Sequence, residues 1–442
     1  MHSSHYQLRC LGCGTLYSDS EIGFFLNCEH QHEPSLLRSS YSRRTLAVRS
    51  AEQGLFRFAD WLPVRRTSPN APGPIVFRSL QLGARIGLDN LFIIFNGYWP
   101  ERRAYMTTCS FKELEAYSVL GRIPDGESRS LVVASAGNTG RAFLQVASEQ
   151  GVPVVVVVPE FALPHLWITV PLHPSVRIVV LSGNSDYYDA IKLADLIAGM
   201  DGCFAEGGAR NIARRDGMGT TMLEAAVSIG RIPQHYVQAV GSGTGGIAAW
   251  EMMERLLADG SYGDTPGRLH LVQNAPFSLM TDSWATGSAG LAPLDERVAR
   301  EQIRELHAAV LSNRHPPYSI RGGVRDVLTQ SDGRMYSVTN RDALEAGRLF
   351  ADLEGCDLDP AAEVALAGLI QSVRNGAIGH GEVTALNVTG GGMNNIERTG
   401  RKRYLKPDII FDADELKGRR DESEIRELVE SRMREVMKGV QI

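Results

Sequence analysis

The sequence predicts an α/β fold built on parallel sheets with flanking helices. Three observations carry that prediction. Short apolar segments alternate with amphipathic ones from about residue 130 to residue 388, the pattern of strand–helix–strand units joined by right-handed crossovers. Val154 to Val158 is an unbroken run of valine, the mark of a strand buried on both faces. Glycine-rich turns stand where strands should hand over to helices, at Gly137-Asn-Thr-Gly and at Gly241-Ser-Gly-Thr-Gly-Gly.

Size and charge narrow the function classes. A chain of 442 residues has room for two or three domains. A formal net charge of −5 gives no general surface for nucleic acid or anionic membrane. Apolar runs such as Val152 to Val158 are far too short to span a bilayer. Met1-His-Ser-Ser-His lacks the apolar core of a signal peptide, so a cytoplasmic location is the expectation. The cysteines (Cys10, Cys13, Cys28, Cys109, Cys203 and Cys356) are dispersed, which fits reduced thiols and not a disulfide framework.

Residues 1–60 form a leader. Its Cys10-Leu-Gly-Cys-Gly reads as a knuckle, followed by Cys28, His30 and His32. A tetrahedral zinc would need both halves of such a set, here Cys28 plus a tightly spaced histidine. The alternative is a β-knuckle with the shape of a zinc ribbon and no ion, and no metal is assigned. Arg49 to Pro74 is polar and proline-bearing, a wrapping segment. Asn90 to Asn96 is a strand in pattern and leads into Gly97-Tyr-Trp-Pro-Glu.

Ser110-Phe-Lys-Glu then places Lys112 at a helix start, with Ser110 and Glu113 at capping-box spacing. A helix N-terminus disfavours a nearby ammonium, so a partly desolvated lysine there suits a base or an amine nucleophile. An aldehyde cofactor needs such an amine. Taken alone, Lys112 would equally be a surface residue of a first helical turn.

Strands follow at Ser130 to Ala134, Val154 to Val158, Val176 to Leu181, Cys203 to Glu206, Tyr236 to Val240, Leu269 to Gln273 and Val383 to Val388. Helices are expected from Thr139 to Glu149, Asp186 to Ala198, Met218 to Ile229, Gly245 to Ala258, Leu294 to Leu311, Arg341 to Leu353 and Pro360 to Arg374. The charged tail from Ala413 reads as a solvated helix.

Three further loops carry chemistry. Ser135-Ala-Gly-Asn-Thr is a tight turn before a helix, where backbone N–H groups can hold a carboxylate and the Asn138 amide can reach a ring oxygen. Gly241 to Gly246 is a phosphate cradle by chemistry, since glycines let the backbone approach an anion that the helix dipole favours. It lacks the lysine of a Walker loop. Thr389, in Asn387-Val-Thr-Gly-Gly-Gly, ends the last strand with a hydroxyl that could hydrogen-bond a pyridine nitrogen without adding charge, which suits eliminations.

In this order the four signals resemble the fold-type II pyridoxal-phosphate enzymes, the tryptophan-synthase-β and threonine-synthase superfamily. The resemblance implies two open, twisted, mostly parallel sheets with the cofactor in an interdomain cleft. It implies that Lys112 holds pyridoxal 5′-phosphate as a Schiff base, that Asn138 bonds its phenolic oxygen, and that Thr389 meets its ring nitrogen. Gly241, Ser242, Gly243, Thr244, Gly245 and Gly246 would hold its phosphate, and Ser135, Ala136, Gly137 and Thr139 the substrate carboxylate. Glu354-Gly-Cys-Asp-Leu-Asp-Pro-Ala is similar to the superfamily's stretch near the cofactor ring. Domain boundaries are then expected at 61–115 with 225–412 for a large cofactor-binding domain, 116–224 for a small one, and 413–442 for the tail.

The knuckle, the Leu-Leu-Arg-Ser-x-Tyr after it, Phe95-Asn-Gly-Tyr-Trp-Pro-Glu and Ser110-Phe-Lys-Glu-Leu-Glu-Ala together resemble the cysteate synthase family. That resemblance implies β-replacement on O-phospho-L-serine by sulfite, giving cysteate and phosphate, a step toward coenzyme M. It also implies a homodimer. Glu113 and Leu114 depart from the Asp-Arg usual in threonine synthases, whereas Gly137-Asn-Thr-Gly-Arg-Ala stays close to theirs. Threonine synthesis from phosphohomoserine, β-replacement by another nucleophile, and a cofactor-less binding protein are the rival readings. Arg141, Arg210 and Arg321 are candidates for meeting the anions by charge alone, without an assigned role.

Overall fold

The computed structural model describes residues 5–19, 27–135, 137–418 and 421–437. The chain forms two units: the stretch up to Arg122 with Gly208–Asn395, and Ile123–Gly207 with the stretch from Ile396. The divisions thus fall after Arg122, Gly207 and Asn395, where the sequence suggested 115, 224 and 412, and the tail from 413 belongs to the second unit.

In the first unit a six-stranded sheet runs in the order Arg334–Val338, Arg268–Asn274, His235–Ala239, Thr384–Val388, Leu91–Phe95, Ile75–Arg78. All pairs are parallel except the last, where Ile75–Arg78 closes the edge antiparallel. Side chains alternate across the strands. Leu91, Ile93, Phe95, Val272 and Leu386 enter one core with the helices Asn340–Glu354 and Pro360–Arg374. Ile94, Tyr236, Leu271 and Ala385 enter another with the helices Ile212–Ile229 and Thr244–Asp259. Both faces are therefore covered, which is why these strands read as continuous apolar runs. A side chain such as Leu271, fully buried, contributes roughly 1.5–3 kcal/mol.

The second unit carries a five-stranded, all-parallel sheet in the order Cys203–Ala205, Ser130–Ala134, Val154–Pro159, Val176–Ser182, Ile409–Asp412. Asp186 starts the helix Tyr187–Ala198 with a full capping box, accepting from the Tyr188 and Asp189 N–H groups at 3.0 and 3.1 Å. The tail differs from expectation. Ile409–Asp412 adds an edge strand, and Val429 and Met433 of the helix Glu422–Met437 are buried against this sheet's core. The charges of that helix line its outer face and hid its apolar stripe.

The leader forms a three-stranded antiparallel sheet, Leu16–Ser18, Tyr6–Cys10, Leu37–Tyr41, within the first unit. The polar stretch after it holds a 3-10 helix, Gly54–Trp61, with Leu55, Phe56, Phe58 and Trp61 buried. The helix placed at Met218 begins at Ile212, because Arg215 and Asp216 are buried in ion pairs with Glu251 at 3.1 Å and Arg255 at 2.8 Å. The one expected over Leu294 to Leu311 is confined to Glu296–Arg304, followed by a 3-10 turn at Ala309–Leu311. No helix among the described residues is long and apolar enough to cross a membrane.

Candidate active site

Three adjacent parallel strands of the first unit (His235–Ala239, Thr384–Val388 and Leu91–Phe95) end at the same edge of the sheet. Ligands of open α/β sheets bind outside this carboxyl edge. The loops leaving it carry Gly241 to Gly246, Thr389 to Gly392, and Asn96 with Gly97.

The glycine loop opens the helix Thr244–Asp259. Gly243, at φ 79°, is its N-cap and has no side chain to cap it. Ser242 Oγ lies 2.7 Å from Thr244 Oγ1, so the two hydroxyls share one hydrogen bond at the helix start. A Cβ on Gly241 would stand 2.9 Å from Leu311 Cα, and one on Gly245 3.1 Å from Gln238 Cδ. The backbone is packed closely enough that no side chain fits at these positions. An anionic phosphate fits such a helix start.

Under the loop lies a buried amide network. Gln238 Oε1 accepts from Tyr236 at 3.0 Å and from Asn387 Nδ2 at 2.8 Å, and Asn387 Oδ1 accepts from Asn96 Nδ2 at 2.7 Å. It ties the ends of the three strands together.

Lys112 is the first residue of the helix Lys112–Arg122. The expected capping box is rearranged. Glu113 accepts from the Thr108 N–H, and Ser110 Oγ takes the Lys112 N–H at 3.4 Å. The segment before Lys112 is stitched to the threonine loop. Phe111 N–H donates to the Thr389 carbonyl at 2.9 Å, and Gly391 N–H to the Cys109 carbonyl at 3.2 Å. Lys112 and Thr389 are thus placed by one backbone ladder. Thr389 is buried at 5% exposure, and its hydroxyl makes no hydrogen bond among the described residues.

The Lys112 side chain is 21% exposed, with Nζ 3.1 Å from Glu115 Oε2 and 3.7 Å from Met218 Sδ. Glu115 is fully buried and also faces Arg214 NH1 at 3.4 Å. The helix terminus beside the ammonium is legible in the sequence, whereas this carboxylate goes unnoticed there. Its signal was the i,i+3 spacing, which puts Glu115 on the same helix face.

The Gly-Gly-Gly stretch packs backbone to backbone. A Cβ on Gly390 would meet the Cys109 carbonyl at 2.7 Å, and one on Gly391 the Asp357 carbonyl at 2.7 Å. Asp359 N–H donates to the Gly390 carbonyl at 2.9 Å, so the Glu354-Gly-Cys-Asp-Leu-Asp-Pro stretch does lie beside this loop.

The remaining predicted residues sit in the second unit, after the strand Ser130–Ala134 and at the start of the helix Asn138–Gln150. Ser135 Oγ accepts from the Gly137 and Gly140 N–H groups at 3.0 and 2.7 Å, so its hydroxyl shapes the turn itself. Asn138 Oδ1 accepts from Arg141 NH2 at 2.9 Å, which fixes the amide's orientation. Thr139 is half-buried in the first turn, and Ala136 lies outside the described residues. Of the arginines noted by charge, Arg141 is buried over Trp167 at 4.7 Å, Arg210 bonds Asn27, and Arg321 is exposed near Asp326 at 3.9 Å. Away from these loops, the leader gathers Cys10, Cys13, Cys28 and His32, although no metal was expected.

Comparison with known proteins adds the family. Residues 95–390 match the family model described as pyridoxal-phosphate dependent enzyme. The chain is 48% identical over 406 residues to a cysteate synthase of Methanoculleus marisnigri, covering 91% of this chain and 93% of that one. It is 44% identical over 403 residues to a cysteate synthase of Methanosarcina acetivorans, covering 91% and 95%. Among solved structures, threonine deaminase isoform 2 of Solanum lycopersicum superposes with a TM-score of 0.55 at 16% identity, covering 82% of this chain and 97% of that one, a likeness of fold alone.

Proposed function

We propose that this chain, which belongs to the cysteate synthase family of pyridoxal-phosphate-dependent enzymes, exchanges the phosphate of O-phospho-L-serine for sulfite, yielding L-cysteate and inorganic phosphate. The observation that carries the reading is the identity of 44–48% to relatives of that name over nearly the whole length of both chains.

The residues present suit the cofactor: a glycine-lined helix start for its phosphate, a buried threonine hydroxyl, and a lysine on the same ladder. When bound, pyridoxal phosphate supplies the electron-withdrawing ring that acidifies the substrate's α-carbon and lets the β-substituent depart. Lys112 would hold it covalently, with Gly241 to Gly246 on its phosphate, Thr389 at its ring nitrogen and the Asn138 amide at its phenolic oxygen. During turnover the Lys112 amine takes the α-proton and later returns it. Glu115, at 3.1 Å from Nζ, keeps that amine on its helix face between the two transfers. Backbone N–H groups of the Ser135 to Thr139 loop receive the substrate carboxylate. One C–O bond breaks at Cβ, one C–S bond forms there, and the α-proton is conserved. The Thr389 hydroxyl adds no charge to the ring, which suits prompt loss of the β-substituent. We place the reaction in the cytoplasm, in a homodimer, on the route toward coenzyme M.

The test offers purified enzyme O-phosphoserine and O-phosphohomoserine, each with and without sulfite. Sulfite-dependent release of phosphate from phosphoserine with formation of cysteate is the expected result. Threonine from phosphohomoserine, with no sulfonate formed, would replace the proposal.

A further inference from the structure

The leader gathers a second cluster of donor side chains that none of the roles above uses. Cys10 and Cys13 flank the turn Cys10-Leu-Gly-Cys, and Cys28 and His32 come from the segment that returns to it. Cys10 Sγ lies 3.3 Å from His32 Nε2, and Cys13 Sγ lies 3.7 Å from Cys28 Sγ. All four donor atoms fall within 4.8 Å of one another. A tetrahedral zinc with Zn–S near 2.3 Å and Zn–N near 2.0–2.1 Å sets donor separations of about 3.8 Å between sulfurs and about 3.6 Å between sulfur and nitrogen. The two measured edges agree with that shell to within a few tenths of an ångström. We propose that Cys10, Cys13, Cys28 and His32 bind one structural zinc ion.

The surroundings fit the assignment. His32 Nδ1 lies 2.6 Å from the Glu33 carbonyl, which it can only approach as a donor, and that tautomer leaves the Nε2 lone pair for the cluster. Each thiol has a hydrogen-bonding neighbour that would stabilise a thiolate: the Gly12 N–H at 3.3 Å and Ser35 Oγ at 3.1 Å for Cys10, Thr15 Oγ1 at 3.1 Å for Cys13, and Tyr17 OH at 2.9 Å for Cys28. A Cβ on Gly12 would stand 2.8 Å from the His32 ring, so the knuckle's glycine makes room for the fourth ligand. His30, the other candidate by spacing, has Nδ1 3.1 Å from Thr15 Oγ1 and 3.7 Å from Cys13 Sγ, but it is not one of the four donors that all gather within 4.8 Å of one another. The spacing is then Cys-x2-Cys with Cys-x3-His, closer to a ribbon than the His30 alternative.

A metal also answers a shortage of core. Among the described residues, the core of the leader sheet is Tyr6, Leu8, Cys10, Tyr17 and Leu37 with Ile212 of the helix Ile212–Ile229, and Cys28 and Tyr41 pack on it half-buried. So small a cluster gains from a staple. What the staple would secure lies within the first unit. Leu36 N–H donates to the Arg321 carbonyl at 2.9 Å, and Arg321 N–H returns to the Pro34 carbonyl at 2.9 Å. Tyr41 OH donates to Asp216 at 2.7 Å.

The experiment measures zinc per chain by mass spectrometry of the elements, on untagged full-length protein grown with zinc and purified without chelator. The proposal expects one equivalent that survives gel filtration and falls to background in the Cys13→Ser/Cys28→Ser variant. His32→Ala should lower it and His30→Ala should leave it intact. Should the serine variant fail to fold, cobalt exchanged into the wild-type chain must show the intense ligand-field bands of a tetrahedral thiolate site. A zinc-free wild type that takes up neither metal, zinc retained without Cys13 and Cys28, loss of zinc in His30→Ala but not in His32→Ala, or a Cys13–Cys28 disulfide in the fresh protein would each overturn it.

Discussion

Replacing Gly245 by alanine tests the phosphate cradle at a single atom. The new Cβ would stand 3.1 Å from Gln238 Cδ and closer still to its amide nitrogen. Gln238 is 1% exposed and cannot swing into solvent. If its amide rotates, Tyr236 and Asn387 lose the acceptor they reach at 3.0 and 2.8 Å. If it stays, the helix start carrying Thr244 must move. Overpacking of this kind costs about 1–3 kcal/mol. A buried donor left unpaired costs about 1–3 kcal/mol more. The control is Gly368→Ala, whose Cβ meets the Val272 side chain in the core beneath the sheet and disturbs no polar group. Both variants should lower the urea midpoint. Only Gly245→Ala should also erode the preference for pyridoxal phosphate over pyridoxal, by about tenfold or more, equivalent to roughly 1.4 kcal/mol. Equilibrium titration of cofactor-free protein with both vitamers reads that ratio. An unchanged ratio in Gly245→Ala, or an equal fall in Gly368→Ala, would refute the assignment of the loop.

Further outcomes follow from the same contacts. Glu115→Gln leaves Lys112 and Arg214 without the buried carboxylate between them, and should lower stability by about 1–3 kcal/mol in urea unfolding. Asn387→Ala removes a fully buried hub bonded to Tyr236, Gln238 and Asn96, and should destabilise the chain by roughly 3 kcal/mol while weakening cofactor retention. His270 is buried against His235 and Tyr336, and burial pulls its pKa down from 6.5 to about 3. The unfolded chain takes up that proton below pH 6.5 and the folded chain does not, so this stability is present above 6.5 and is lost as pH falls toward 3. Between pH 6.5 and 5 the loss is about 2 kcal/mol, and His270→Gln should flatten the unfolding profile by that amount.

What could be read in the sequence, and what could not, has physical reasons. The valine strand and its neighbours were legible because they are buried on both faces, so hydropathy alone marks them. The glycine loops and Lys112 were legible because each stands at a helix start, where residue type is constrained. The edge strand Ile75–Arg78 is only half-buried and carries no comparable signal. The first turns of Ile212–Ile229 were missed because Arg215 and Asp216 are buried through ion pairs, which hydropathy counts as exposure. The tail was misread for the opposite reason, since its charges outnumber the apolar residues, Val429 and Met433 among them, that dock it. Ser135 lies in the strand-to-helix turn, and the two N–H groups its hydroxyl accepts from are not marked by any pattern in the sequence. Glu115 and the amide network under the glycine loop depend on side-chain meetings between distant segments, which one-dimensional spacing reveals only for the i,i+3 pair. The same holds for His32, chosen over His30 by how the chain folds back on the knuckle.

Lys112 is the amine proposed to hold pyridoxal phosphate. Borohydride reduction of the cofactor-loaded enzyme, followed by proteolysis and peptide mass mapping, reads that attachment directly. A pyridoxyl group is expected on the peptide containing Lys112, and none after Lys112→Ala. A pyridoxyl group on any other lysine of the wild-type chain would contradict it.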